Sequence, residues 1–122
     1  MSYHYTPAGI IFDSGAHALG CAVFPGGIGQ TEQQVAAMVH FRPTAYAGTP
    51  DFLKTILDKG DELSADLSSI KKALVGGGAL LPPLRKAHED RGISVLQCYG
   101  TADGGNIAYK TEAQEACFSM KV

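Results

Sequence analysis

Apolar and polar positions along this chain fall into short alternating blocks, each apolar run bounded by a helix start or a glycine turn. Thr6-Pro7 offers an N-cap and a proline at the first helical position. With Ile10, Ile11, Ala16 and Leu19 behind it, this predicts a helix over about residues 7 to 19, weakened by Gly9 and Gly15. Cys21-Ala22-Val23-Phe24, closed by Pro25-Gly26-Gly27, suits a short buried strand. Thr31-Glu32-Gln33-Gln34 reads as a capping box, Val35, Met38 and Val39 form the apolar stripe of the helix it opens, and Pro43 closes that helix.

The alternation then repeats. Thr44-Ala45-Tyr46-Ala47 predicts a strand, and Thr49-Pro50 starts a helix through Phe52, Leu53, Ile56 and Leu57. Residues 59 to 69 read as a polar connection, and Ala73-Leu74-Val75 as a strand running into glycines. Pro82-Pro83 opens a helix that stops at Arg91-Gly92, and Ile93 to Leu96 forms the next strand. Short apolar strands separated by helices predict an α/β fold in three layers, a mostly parallel sheet with helices on both faces, because parallel neighbours need crossover connections. Residues 1 to 110 are expected to form one α/β unit, and residues 111 to 122, without a clear pattern, an irregular tail.

Composition narrows the partners. A chain of 122 residues fits one domain, able to bury roughly two-thirds of the surface its unfolded form exposes. A net charge of -2 with no Lys/Arg cluster argues against nucleic acid and against a membrane surface, leaving small ligands. The three cysteines are widely spaced, and Cys21 and Cys98 lie among apolar residues, as reduced thiols buried in a cytoplasmic protein do. No apolar run approaches the ~20 residues that span a bilayer, and Met1 to Tyr5 lacks the zones of a signal peptide. The expectation is a soluble, cytoplasmic protein.

The chemistry concentrates at two strand exits. Gln97 to Gly105 carries an aromatic-Gly turn and then Asp103, while Val75-Gly76-Gly77-Gly78-Ala79 brings three glycines to the end of another strand. Carboxyl ends of strands are where open α/β sheets bind ligands, and glycine lets backbone approach closely. Each exit also has a plain reading as a turn, Asp-Gly being a favoured turn pair. With phosphate oxygens, Asp103 could hold Mg2+. Gly26-Gly27-Ile28-Gly29 lacks the spacing and the Lys-Ser/Thr of a phosphate loop and is read as a turn. His4, His17, His40 and His88 are scattered without metal spacing, Asp13 and His17 form a local i,i+4 pair, and no nucleophile has a motif around it, so no catalytic residue is assigned.

Taken in order, Tyr3-His4, Gly26-Gly27, Thr31-Glu32-x-Gln34-Val35, Pro43, Thr49-Pro50, Gly78-Ala79 and Tyr99-Gly100-x-x-Asp103 resemble the adenylate-forming enzymes, in particular their phenylacetate-CoA ligase branch, over residues 3 to 112. In that family an acid and ATP give an acyl adenylate and pyrophosphate, and coenzyme A then takes the acyl group. The resemblance implies that Gly78 and Ala79 face adenine, that Tyr99 packs on the base, that Gly77, Gly100 and Thr101 belong to the same cofactor-binding set, and that Asp103 stands where the family has a magnesium-binding Glu. It also implies that His4, Ala47 and Gly48 approach the acyl pocket.

Two departures stand out. The family pattern Tyr-Gly-x-Thr/Ser-Glu appears as Tyr99-Gly100-Thr101-Ala102-Asp103, without the hydroxyl at Ala102 and with a shorter carboxylate. The family's phosphate loop and mobile carboxyl-terminal domain have no counterpart in these residues. The chain is therefore expected to be a part of a larger ligase, inactive alone, that meets a carboxylic acid and ATP or AMP. The alternatives are a stand-alone nucleotide- or acyl-binding module, or a domain that pairs with copies of itself as a homodimer through exposed former interior.

Overall fold

The protein is described from a computed structural model that covers residues 1–111 and 119–120. Its elements in chain order are α1 (Ala8–Ala18), α2 (Thr31–Phe41), β1 (Ala45–Gly48), α3 (Pro50–Glu62), β2 (Lys72–Val75), α4 (Pro82–Glu89), β3 (Ser94–Thr101), β4 (Gly105–Tyr109) and β5 (Ser119–Met120). They build one five-stranded sheet in the order β1-β2-β3-β4-β5. The first pairings are parallel, with Tyr46 beside Ala73 and Ala73 beside Val95; β4 and β5 then add antiparallel.

The α/β prediction holds, with a mixed sheet. Sequential parallel strands joined by right-handed crossovers put their helices on one face, and there α2, α3 and α4 close the core. Val35, Leu53, Ile56 and Leu57 pack on Tyr46, Ala73, Val75 and Val95, with Ile70 and Ile93 at the strand entries. Strand alternation turns Ala45, Ala47, Leu74 and Leu96 to the opposite face. That face looks across a cavity of about 720 Å³ toward α1, whose Ile11, Phe12, Ala16 and flanking Leu19 line it together with Ala37 and Phe41 of α2.

Several local expectations change. Cys21 to Phe24 forms no strand among the described residues, and Cys21 is exposed, so only Cys98 is the buried thiol expected of both. Neither predicted cap forms: the Thr6 hydroxyl donates to the Ser2 carbonyl at 3.2 Å, and Gln34 Nε2 donates to the Gly29 carbonyl at 2.7 Å instead of reaching Thr31. Gln30, in the left-handed region at φ 50°, caps α2 in its place. The polar connection starts later than read, because α3 runs on to Glu62, where Gly60 leaves room for Leu67. The antiparallel strands were not anticipated. Residues 97 to 101 belong to β3 rather than to a loop, and within the expected irregular tail Ser119–Met120 pairs with Ala108 and Tyr109. Residues 112–118 and 121–122 of that tail lie outside the described residues.

Candidate functional site

The carboxyl ends of β1, β2 and β3 open side by side. Thr49 follows β1 and precedes Pro50, which starts α3 with its fixed φ. Behind it the Gly76 amide donates to the Gly48 carbonyl at 3.0 Å, which ties the glycine run to the end of β1. A Cβ at Gly76 would stand 2.9 Å from Cys98 Sγ and 3.1 Å from the Cys98 carbonyl oxygen, so β2 and β3 meet here with space for hydrogen only. Gly77 turns the chain outward at φ 70°. The Cys98 thiol donates to the Val75 carbonyl at 3.6 Å, and burial pushes its pKa up, which makes it a neutral floor for the cleft.

The second wall is the β3–β4 hairpin. At its bulge Gly100 pairs with Asn106, and the carbonyl oxygen of the neighbouring Gly105 would lie 2.5 Å from any Cβ placed on Gly100. The hydroxyl of Thr101 accepts from the Gly104 amide at 2.9 Å and closes the turn that displays Ala102 and Asp103. A cleft of about 260 Å³ runs between these strand ends and the start of α1, and Thr49, Gly76, Gly77, Cys98, Thr101 and Ala102 line it. Asn106 also borders it, its Oδ1 fully buried without a hydrogen-bond partner.

Of the residues picked from sequence, the structure thus brings Gly77, Gly100 and Thr101 to one cleft. Gly78 and Ala79 lie exposed just beyond it, with Gly78 beside Pro50 and Asp51. Tyr99 is exposed on the outside of β3, and Asp103 is exposed at the hairpin tip. Ala47 lines the larger cavity across the sheet, while Gly48 is packed against the Tyr46 ring, which leaves no room for a side chain. His4 is exposed, its ring edge-on to Tyr5 at 4.2 Å, and borders neither cavity. Sequence reasoning missed Thr49, Cys98 and Asn106. The Cys98 signal was present, since its strand leads straight into the turn, whereas nothing in sequence sets Asn106 apart.

Tyr46 underlies this edge. Its hydroxyl donates to the Thr49 carbonyl at 3.4 Å, and burial, then the nearby Asp51 charge, drive its pKa up, so the phenol stays neutral. No group of three or more His, Cys, Asp or Glu converges among the described residues. Asp103 is thus one exposed carboxylate, which fits a divalent ion only when phosphate oxygens complete its shell. No described helix is long and apolar enough to cross a membrane.

Comparison with known proteins agrees with this architecture. A phenylacetate-coenzyme A ligase of Aromatoleum evansii is 34% identical over 105 residues, 84% of this chain and 24% of that protein. The enzyme of the same name from Pseudomonas putida is 34% identical over 92 residues, 73% of this chain and 21% of its own. The chain thus spans about a quarter of the length of the curated relatives it matches. A 2-hydroxyisobutyryl-CoA ligase solved with 2-HIB-AMP and CoA superposes with a TM-score of 0.84 at 20% identity, over 96% of this chain and 27% of that one, and so shares the fold. The match to the AMP-binding enzyme family covers residues 5–119, and this chain belongs to that family.

Proposed function

We propose that these residues form the nucleotide-facing part of an acyl- or aryl-CoA ligase, which activates a carboxylic acid with ATP as an acyl adenylate and passes the acyl group to coenzyme A. The observation that carries this reading is the convergence of Thr49, Gly76-Gly77 and Gly100-Thr101 on one cleft at the carboxyl ends of parallel strands. The names of the relatives, and the acyl-AMP and CoA bound in the 2-hydroxyisobutyryl-CoA ligase, support the substrate class.

In this reading the bare backbone at Gly77, Gly78 and Ala79 lies along the base, Tyr99 flanks it, and Gly100 and Thr101 border the phosphates. Asp103 shares a magnesium ion with them, and the neutral Cys98 floor repels no anion. His4, Ala47 and Gly48 belong to the acid side. The setting is the cytoplasm, where ATP and CoA are supplied. Adenylation depends on positioning and charge neutralisation, and the cleft offers no described Lys or Arg. The 122-residue polypeptide is therefore expected to bind AMP weakly and to show no pyrophosphate exchange into ATP with any aryl or fatty acid; robust exchange would overturn the proposal.

Amide chemical shifts during an AMP titration test the location. Perturbation is expected at Thr49, Gly76, Gly77 and residues 100 to 103. Shifts confined to other parts of the chain would refute the assignment. The resemblance adds a sharper outcome: Ala102→Ser restores the family hydroxyl at a position that lines the cleft, and one added hydrogen bond, worth about 1 kcal/mol, should tighten AMP roughly fivefold.

A further inference from the structure

We infer that the cavity of about 720 Å³ takes a carboxylic acid that carries a hydrogen-bond donor, a hydroxyl or amino group, on its carbon skeleton, and that the Asp13 carboxylate receives this donor. That the ligand is an acid rests on the ligase function proposed for these residues; the donor is new. A cavity of this size suits a small molecule held mostly by apolar contact and oriented by a few polar groups. Ile11, Phe12 and Ala16 of α1 line it on one side, and Leu74 and Leu96 of the sheet on the other. Selectivity therefore falls to the polar side chains among them.

Most of those side chains are already engaged. Gln34 Nε2 donates to the Gly29 carbonyl at 2.7 Å, and the Tyr46 hydroxyl to the Thr49 carbonyl at 3.4 Å. Lys72 and Ser94 stand at the first residues of β2 and β3, the end of these parallel strands opposite the cleft. Asp13 is the one carboxylate among the described residues that line the cavity, and its side chain keeps 27% of its surface accessible. The Tyr3 hydroxyl donates to its Oδ1 at 3.5 Å, and His17 Nδ1 lies 3.1 Å from its Oδ2. Burial, then the Asp13 charge, raises the Tyr3 pKa, so this phenol keeps its proton and directs it at Asp13. The two oxygens of a carboxylate offer about four lone-pair sites. Asp13 thus has acceptor capacity left for a ligand.

Its position suits an acid that must meet a nucleotide. Met1, Ile11, Phe12 and Asn106 line both this cavity and the cleft of about 260 Å³ at the strand ends, and so form the partition between them. An acid in the cavity reaches a nucleotide in the cleft at that partition, which places its carboxyl group there and its skeleton behind. Asp13 follows Phe12 in α1, about 1.5 Å further along the helix axis, where it meets the skeleton rather than the carboxyl group. Asn106 Oδ1 also lacks a donor, but it is fully buried, which leaves Asp13 as the acceptor a ligand can reach. An acid without a donor displaces water from the Asp13 lone pairs and replaces it with nothing. That deficit separates the two kinds of acid where the apolar walls do not.

Ligand-observed NMR titrations of the dilute 122-residue chain test this with phenylacetate, its ring-hydroxyl and ring-amino derivatives, and ring-methyl derivatives of matched size. At least one donor-bearing acid should bind about tenfold tighter than its methyl counterpart and than phenylacetate, with amide shifts at Asp13 and Ala47. Asp13→Ala should bring that ratio to within about twofold of one. His17→Ala breaks the same ion pair but keeps the acceptor, and should preserve the ratio, which a merely structural role for Asp13 would not. Equal binding of donor-bearing and methyl acids by the unsubstituted chain would overturn the inference, as would binding of no acid at all. So would a ratio that survives Asp13→Ala, or one that both variants abolish. The AMP titration reads the ligase proposal separately. AMP shifts at the cleft without donor preference in the cavity would leave that proposal standing and remove this one; donor preference without AMP shifts would do the reverse.

Discussion

At the scale of single residues, the glycine run after β2 combines two different requirements, and substitution separates them. At Gly76 an added methyl meets Cys98 at 2.9 Å and 3.1 Å, one of these contacts being backbone that cannot swing away. Overpacking of this kind costs about 1–3 kcal/mol, so Gly76→Ala should lower the urea midpoint clearly without change in the denaturant slope. At Gly78 the added methyl meets Pro50 Cδ at 3.4 Å and Asp51 Oδ1 at 3.5 Å, ordinary contacts, and its φ is not positive. Gly78→Ala should therefore stay within about 0.5 kcal/mol of the unsubstituted protein, and any loss of AMP binding in it reports on the ligand rather than on the fold. Equal destabilisation by both substitutions would contradict the close β2–β3 approach. Sequence alone marked all three glycines alike, because a strand exit announces glycine without saying which one touches a neighbouring strand.

At the scale of elements, the α3–α4 contact depends on a histidine that sequence left among scattered ones. His88, near the end of α4, is buried, and its Nε2 lies 3.1 Å from the Pro50 carbonyl in the first turn of α3. Burial pulls its pKa below 6.5; the Pro50 carbonyl and Asp58 oppose that shift, while Arg91 and Lys54 add to it. The unfolded chain therefore takes up the proton first as pH falls. The stability contributed by neutral His88 is complete above about pH 6.5 and is lost as the pH falls from there through the folded-state pKa. Chemical denaturation between pH 7.5 and 5 should show this loss, and His88→Gln, which keeps a donor for Pro50, should flatten the profile; an unchanged slope in the variant would exclude His88 as its source. The helices themselves were legible, since prolines at Pro50 and Pro82 and the stripe through Leu53, Ile56 and Leu57 encode their starts and buried faces locally. The hairpin was not, because Gly104 and Gly105 permit a loop as readily as a turn and only the pairing of Cys98 with Tyr109 decides. Caps failed for a similar reason: Gln34 finds the Gly29 carbonyl through a loop whose path sequence does not show. The cleft was half legible, its backbone residues announced by glycine and Asn106 by nothing.

At the scale of the whole molecule, the two faces of the sheet differ in a way that sets behaviour in solution. One face is sealed by three helices, with Leu53, Ile56 and Val75 fully buried. The other leaves Ala45, Ala47, Leu74 and Leu96 across an open cavity from α1, near whose outer end Leu19, Phe24 and Phe41 stand 84%, 55% and 59% exposed. An apolar surface of this kind is rarely left to water, and apolar area removed from water contributes about 25 cal/mol per Å². The relatives, about four times as long, have more chain with which to cover it; the 122-residue polypeptide has a second copy of itself. Sedimentation velocity at two concentrations tenfold apart should therefore show mass rising with concentration, and binding of a hydrophobic fluorescent dye should fall as mass rises. Leu19→Glu places a charge at the rim of that face without touching the sealed core, and should return the chain toward monomer with little change in its urea midpoint. A monomer at both concentrations that also fails to bind the dye would mean that α1 closes the face by itself. A dimer unaffected by Leu19→Glu would move the contact elsewhere, with the free edge of β1 as the next surface to probe.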